Sequence, residues 1–283
     1  MKILINGING QVGHALMRQL TSHELIGLAR KDCDLTNPDQ IKQVIEHHQP
    51  DLIINPAAYT KVDQAEDEPE LTFLINRDAP KVMAEKALKY DIPFIHFSTD
   101  YVFDGEKNGA YLETDPINPL GVYGQSKYAG EEAIQDVGGQ NYIFRTSWVY
   151  SNIGQNFFLT MKKLCQERKE LKVVADQIGV PTSSQFIAKQ IKKIIPQFNK
   201  NNTGIYHLVP EGSCSWHEFT KAIISQANPD FNLEKLHAIQ SHEFPTKTKR
   251  PKNSILNNAK IKKSFNLTLN NWQAGLEKII DEA

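Results

Sequence analysis

The stretch Lys2-Ile-Leu-Ile-Asn6-Gly7-Ile-Asn9-Gly10-Gln11-Val12-Gly13-His-Ala-Leu16 decides how this chain is read. Its first residues are apolar and predict a short strand. Three glycines follow at once, spaced three apart, and Gly13–Leu20 then has helical periodicity. A strand, a glycine loop and a helix in that order are the setting of a dinucleotide fingerprint. Glycine lets the backbone approach a pyrophosphate with no Cβ in the way. The helix N-terminus adds free N–H groups and the positive end of a dipole. Gly7, Asn9, Gly10, Gln11, Val12 and Gly13 are therefore the expected phosphate cradle.

The alternation continues outward. Strands are expected at Glu24–Ala29, Asp51–Asn55, Ile92–Phe97 and Tyr142–Thr146. Helices are expected at Pro38–His48 (capped by Thr36 or Asn37), Leu71–Tyr90 and Pro119–Asp136. Strands that are apolar throughout, separated by helices, imply a buried parallel sheet covered on both faces, a doubly wound Rossmann-like α/β fold. The later half is less regular. Helices are expected at Asn156–Arg168, Ser184–Phe198, Ser215–Asn228 and Asn271–Ala283, and Gly204–Val209 is strand-like. Ile239–Ser254 is polar and holds two prolines. Residues 1–150 thus read as the dinucleotide domain and 151–283 mainly as a smaller lobe, with later segments returning to the first.

The 283 residues, 40% hydrophobic and 23% charged, suffice for such a core. A net charge of -1 gives no global field toward nucleic acid or an anionic membrane. Cys33, Cys165 and Cys214 are scattered and form no C-x-x-C pair, which points to a reducing, cytoplasmic setting. No run approaches the ~18 apolar residues of a membrane span.

The residue after the second strand normally selects the cofactor. Arg30 and Lys31 stand there, and two cations favour the 2′-phosphate of NADP(H), with NADH as the alternative. Asp34 and Leu35, slightly later, are placed against the adenine.

Tyr123-Gly-Gln-Ser-Lys127 lies in an expected helix, so its two ends share a face one turn apart. A carbonyl that receives hydride needs an acid for its oxygen, and a free tyrosine of pKa ~10 is a poor match to neutral pH. Moving it by about three units takes roughly 4 kcal/mol, about what one cation ~4 Å away supplies at an effective dielectric near 20. Ser98-Thr99 closes the preceding strand, where ligand chemistry gathers in parallel sheets. Thr99 is the expected partner of the carbonyl oxygen, with Ser98 as the fallback.

Longer motifs extend this set. They are Asn55-Pro-Ala-Ala-Tyr59-Thr-Lys-Val-Asp63-Gln-Ala-Glu66, Ser98-Thr-Asp-Tyr101-Val-Phe-Asp-Gly105, Pro119-Leu-Gly-Val-Tyr123-Gly-Gln-Ser-Lys127-Tyr-Ala-Gly-Glu131, Arg145-Thr-Ser-Trp148-Val-Tyr150, Ala175-Asp-Gln-Ile-Gly-Val-Pro-Thr182 and Arg250-Pro-Lys-Asn-Ser254. With these motifs the chain resembles the extended short-chain dehydrogenases acting on nucleotide sugars. It is most similar to the branch that reduces the C4 keto group of dTDP-4-dehydro-β-L-rhamnose with NADPH. The resemblance implies that Tyr123 is the proton donor, Lys127 its supporting cation and Thr99 the carbonyl's orienting group. It implies that Ala57, Ala58 and Tyr59 pass the cofactor ribose, and that Asp100, Tyr101 and Trp148 line the sugar site. Thr60 and Val62 would border the substrate, and Arg250 would meet its nucleotide end.

Ala15 departs from the pattern. Some members carry a glutamate there, linked to Mg²⁺ at a dimer interface, so a metal-bridged dimer lacks its ligand here and no residue is assigned to a metal. Monomer and homodimer both stay open. His47-His48 has no ligand-like companions and reads as a solvated helix face. Three rivals share the scaffold. A 4,6-dehydratase would need an Asp-Glu pair where Asp100-Tyr101 stands. An epimerase would keep and recycle its cofactor. A non-catalytic subunit, like the regulatory subunit of methionine adenosyltransferase, could lose the tyrosine–lysine pair that this chain retains.

Overall fold

A computed structural model describes residues 1–281. Its centre is a six-stranded sheet, parallel throughout. Strands β1 (Lys2–Asn6), β2 (Glu24–Leu28), β3 (Leu52–Asn55), β4 (Phe94–Thr99) and β5 (Asn141–Thr146) are joined by a returning strand, Gly204–His207. The spatial order is Gly204–His207, β5, β4, β3, β1, β2, so the winding reverses between β1 and β3. Ligands of open α/β sheets gather at the carboxyl ends of the strands beside such a reversal.

The strands are apolar at every step because alternate residues enter different cores. Ile3, Ile5, Leu52, Ile54, Ile95, Phe97, Tyr142 and Phe144 pack on one face with helix α1 (Gln11–Gln19) and the helix Ser184–Ile194. Leu4, Ile53, Phe94 and Ile143 pack on the other with helix α2 (Pro38–His48), the helix Ala79–Lys89 and Ile134 of the helix Val122–Val137.

Another core sits beyond the sheet. Phe158, Met161, Phe219, Ile223, Trp272 and Leu276 close it, contributed by the helices Phe157–Glu167, Trp216–Ala227 and Trp272–Asp281. A parallel pair, Leu171–Val174 with Leu236–Ile239, completes it. The chain leaves this lobe between residues 184 and 208 to supply a helix and the sixth strand of the sheet. The terminal helix expected to reach Ala283 is described to Asp281, and its last two residues lie outside the described residues.

Local chemistry explains the helix ends. Asn37 caps α2, its side chain accepting from the N–H groups of Asp39 and Gln40, with Pro38 at the first helical position. Ser215 and Glu218 form a reciprocal capping box. The expected helix Leu71–Tyr90 is broken instead. Pro69–Phe73 is α-helical, Leu74–Asp78 is one turn of π-helix, and α-helix resumes at Ala79. No described helix is long and apolar enough to cross a membrane.

Candidate active site

The glycine loop joins β1 to α1, and its glycines answer to different constraints. Gly7 has φ +67, and a Cβ on it would lie 2.8 Å from the Ala57 Cβ. Gly13 has ordinary helical torsions, but a Cβ there would lie 2.2 Å from the Gly7 carbonyl oxygen. Gly10 caps α1 with no side-chain bond, leaving the first-turn N–H groups of Gln11, Val12 and Gly13 open to an anion. The Gln11 side chain looks the other way. Its Oε1 accepts from Ser151 Oγ at 2.8 Å and Asn156 Nδ2 at 3.0 Å, tying the loop to the second lobe.

Past β2, Arg30 and Lys31 are exposed and neither has an ion-pair or hydrogen-bond partner among the described residues. Asp34 is occupied locally. Its Oδ1 accepts from the Thr36 N–H and hydroxyl, bonds that hold its carboxyl below the usual range. Leu35 packs into the core beside α2.

The tyrosine–lysine helix is fixed at several points. Glu66 Oε1 accepts from the Val122 N–H at 2.9 Å, capping its first turn. Arg145 of β5 forms a bidentate, fully buried pair with Glu131, at 2.9 and 2.6 Å. Asn76, buried in the π-turn, accepts from the Tyr59 N–H and donates to the Tyr59 carbonyl and to Ser126 Oγ. One side chain thus joins the segment after β3 to the helix. A π-turn at such a place is a frequent mark of a functional site.

Tyr123 is half-buried and meets Tyr101 edge to face at 5.6 Å. Burial pushes its phenol above the ordinary value, the Thr99 hydroxyl opposing and the Asp100 charge adding to the rise. Lys127 is almost wholly buried, and burial lowers it to about 7 against the pull of Glu131. Its Nζ donates to the Phe97 carbonyl at 2.7 Å and lies 3.0 Å from His96 Nε2. From its spacing, Lys127 is expected to lower the tyrosine. The ammonium is instead engaged by β4, and burial favours the protonated Tyr123 phenol.

Thr99 Oγ1 donates to Asp100 Oδ1 at 3.0 Å and accepts from the Tyr101 N–H at 3.2 Å. Asp100 is buried, its carboxyl raised to about 6 by desolvation against the Ser254 and Thr99 hydroxyls, and its Oδ2 lacks a well-formed hydrogen bond. Arg250 NH2 pairs with Asp63 Oδ2 at 2.7 Å, while its buried NH1 lacks a well-formed hydrogen bond. The guanidinium lies 5.9 Å from the Tyr101 ring centre. Thr248 fastens the same segment by donating from N–H to Asp63 Oδ1 and from Oγ1 to the Val62 carbonyl. Thr60 is exposed and beside these contacts in sequence.

Trp148 has φ +47, a left-handed conformation costly for a bulky residue. Its indole lies flat between Gly179, where a Cβ would come within 2.3 Å, and Trp216, stacked at 3.4 Å. The structure therefore brings together Thr99, Asp100, Tyr101, Tyr123 and Arg250, and places the cradle at the neighbouring strand ends. Asp63, Glu66, Asn76 and His96 were not singled out from sequence. Asn76 and His96 carried a signal, as polar residues inside stretches otherwise read as buried, and such groups must be paired.

A glycine cradle at the first turn of a parallel sheet, with Tyr123 and Lys127 one helical turn apart beside the end of β4, defines a short-chain dehydrogenase type of protein. The match is closer than class. Residues 1–283 match the family described as RmlD substrate binding domain, and the chain belongs to that family. It is 40% identical to dTDP-4-dehydrorhamnose reductase of Escherichia coli K12, over 100% of this chain and 98% of that protein. It is 38% identical to the Burkholderia thailandensis protein of the same name, covering 96% of each. The fold superposes with a TM-score of 0.94 on dTDP-4-dehydrorhamnose reductase from Bacillus anthracis in complex with NADP, at 38% identity and over 100% and 99% of the two chains.

Proposed function

We propose that this protein reduces the C4 keto group of dTDP-4-dehydro-β-L-rhamnose with NADPH, giving dTDP-L-rhamnose. The observation that carries the reading is the Tyr123 phenol beside Thr99, with Asp100 Oδ2 and Arg250 NH1 buried in the same neighbourhood and short of a well-formed hydrogen bond, although Ser254 acts on the first side chain and Tyr101 on the second. A polar, charged substrate supplies partners for both. Full-length identity to named reductases supports the sugar and the nucleotide.

The residues fit a phosphorylated dinucleotide. Side chains at Gly7 and Gly13 would fill the cradle, the first turn of α1 is uncapped, and Arg30 and Lys31 stand free for a 2′-phosphate. NADPH, when bound, supplies the hydride. Tyr123 gives its proton to the C4 oxygen as the carbonyl electron pair moves onto it. A phenol held that high is a weak acid at neutral pH, so the step relies on the Lys127 charge turning to it and bringing it back toward the working range. Lys127 opposes the charge left on the phenolate. The Thr99 hydroxyl, turned from Asp100, holds the carbonyl in line. Arg250 meets the diphosphate with its guanidinium, and Trp148, whose faces are covered by Gly179 and Trp216, borders the sugar site with its edge. Ala57, Ala58 and Tyr59 pass the ribose, while Thr60 and Val62 border the substrate. A reducing, cytoplasmic setting accompanies the three free, buried thiols.

Purified protein with NADPH and enzymatically prepared dTDP-4-dehydrorhamnose tests this, through cofactor absorbance and product analysis. Oxidation of NADPH only when the keto sugar is present is expected; its absence sinks the reading. Tyr123→Phe is expected to lower kcat by about 10²–10⁴ with the melting temperature kept. Parental turnover in that variant removes Tyr123 as the acid.

A further inference from the structure

The alternation of the sheet puts a histidine where none of the steps above uses one. Phe94 of β4 faces the core beside the helix Val122–Val137, so His96, two residues on, faces that helix as well. Asn55 is its register partner on β3. His96 is fully buried. Its Nε2 lies 3.0 Å from Lys127 Nζ, and its Nδ1 lies 3.3 Å from Asn55 Nδ2.

We propose that His96 is a positioning residue for the reductase reading above: its Nε2 lone pair and the Phe97 carbonyl together hold the Lys127 ammonium charged and in register with Tyr123. The two nitrogens of a neutral imidazole divide their roles, one donating and one accepting. The Asn55 main-chain carbonyl offers an acceptor to the ring. Its side-chain amide does so too once its oxygen, otherwise buried and unpartnered, takes the place of Nδ2 beside Nδ1, the orientation that avoids two donors face to face. With its proton there on Nδ1, Nε2 is left to accept from an ammonium that has only donors. A charged imidazolium would repel Lys127. Burial excludes that form, holding the ring well below its ordinary 6.5, with Lys127 adding to the effect.

The charged and titratable groups around the ammonium have other engagements. Glu131, one turn along the same helix, is bound by Arg145 of β5. Tyr123, one turn earlier, is a neutral phenol. Asp100, beyond the end of β4, accepts from Thr99. Without His96, the lysine keeps a single neutral acceptor in a buried site, and its charged form becomes harder to maintain.

His96→Leu removes the acceptor, and His96→Gln presents an oxygen near the Nε2 position. The first readout needs no substrate: titration of the Lys127 side chain by NMR in the protein without cofactor. The Leu variant is expected to titrate about one pH unit or more below the parent, and the Gln variant close to the parent. The alkaline limb of kcat should shift the same way, with the substrate KM within about twofold. An unchanged Lys127 titration in the Leu variant overturns the proposal. So does equal impairment of both variants at every pH, which would mark a merely structural residue. If the Leu variant does not fold, His96→Asn replaces it. That side chain reaches only toward Asn55, so Asn must shift the titration and Gln must not. A parent without keto-sugar reduction removes the reductase reading and leaves the titration to decide His96's hold on Lys127.

Discussion

The proposed cofactor cradle is one unbroken run, Gly7–Gly13, whereas the proposed substrate side draws Asp63, Asp100, Trp148 and Arg250 from separate parts of the chain. In the cradle the constraint is on backbone and space. Gly13 is set by a carbonyl oxygen six residues earlier, and Gly7 by its own positive φ. On the substrate side the constraint is on unsatisfied polarity and strain. Asp100 keeps an oxygen and Arg250 a nitrogen without a well-formed hydrogen bond, and Trp148 keeps a left-handed backbone. One region is held by steric fit of the backbone, and the other stores a local cost of the kind found at functional sites.

Substitutions in the cradle should therefore damage binding and stability together. Gly13→Ala is the sharpest case, since a Cβ 2.2 Å from the Gly7 oxygen meets backbone rather than a flexible side-chain end. Overpacking of this kind costs about 1–3 kcal/mol, and the displaced first turn would also lose its aim at the phosphates. We expect NADPH affinity to fall by ~100-fold or more in a fluorescence titration, with a lower melting temperature. Gly10→Ala, whose Cβ would sit 3.2 Å from the same oxygen, should do clearly less. Parental affinity in Gly13→Ala would show that the cradle is not where the cofactor binds.

The substrate side should behave in the opposite way, gaining stability as it loses function. Asp100 has its carboxyl raised from 3.8 to about 6, chiefly by desolvation. Below the unfolded value it is neutral in both states, so its relative contribution is fully favourable there. As pH rises through the folded value, the native state holds an ionised group that water would solvate better, and that contribution is lost. A rise of roughly two units corresponds to about 3 kcal/mol at pH 8. Asp100→Asn should therefore raise the melting temperature at pH 8 and give no such gain near pH 4, while turnover falls. An equal gain at both pH values would mean that charge is not the stored cost.

The same contrast explains what the sequence revealed. The cradle, the sheet strands and the Tyr123–Lys127 pair were legible because each depends on residues a few positions apart. The pair Leu171–Val174 and Leu236–Ile239 was missed as a small sheet, because each strand is four residues long and its partner is far away in the chain. The π-turn at Leu74–Asp78 was hidden because one wider turn barely alters an apolar periodicity. Lys127 was placed correctly on the face of Tyr123, but the direction of its Nζ was set by His96 and Phe97 of another element. The expected substrate motifs rest on resemblance, and the Asp63–Arg250 link between two of them had no local signal at all.

Arg30 tests the comparison at its margin, on the proposed cofactor side but outside the cradle, where the residue is exposed and nothing strained depends on it. It forms no hydrogen bond or ion pair among the described residues, and its charge acts only weakly on the Asp34 carboxyl, the last of the causes that lower it. Arg30→Ala should leave the melting temperature unchanged and keep NADH turnover. Its effect should appear only in the ratio of kcat/KM for NADPH to that for NADH. A solvent-exposed charge contact is worth up to about 1 kcal/mol, so the ratio should fall by roughly three- to fivefold. Lys31 stands beside it and shares the phosphate, and the double variant should fall further. An unchanged ratio in the double variant would place cofactor selection elsewhere than in this pair of cations.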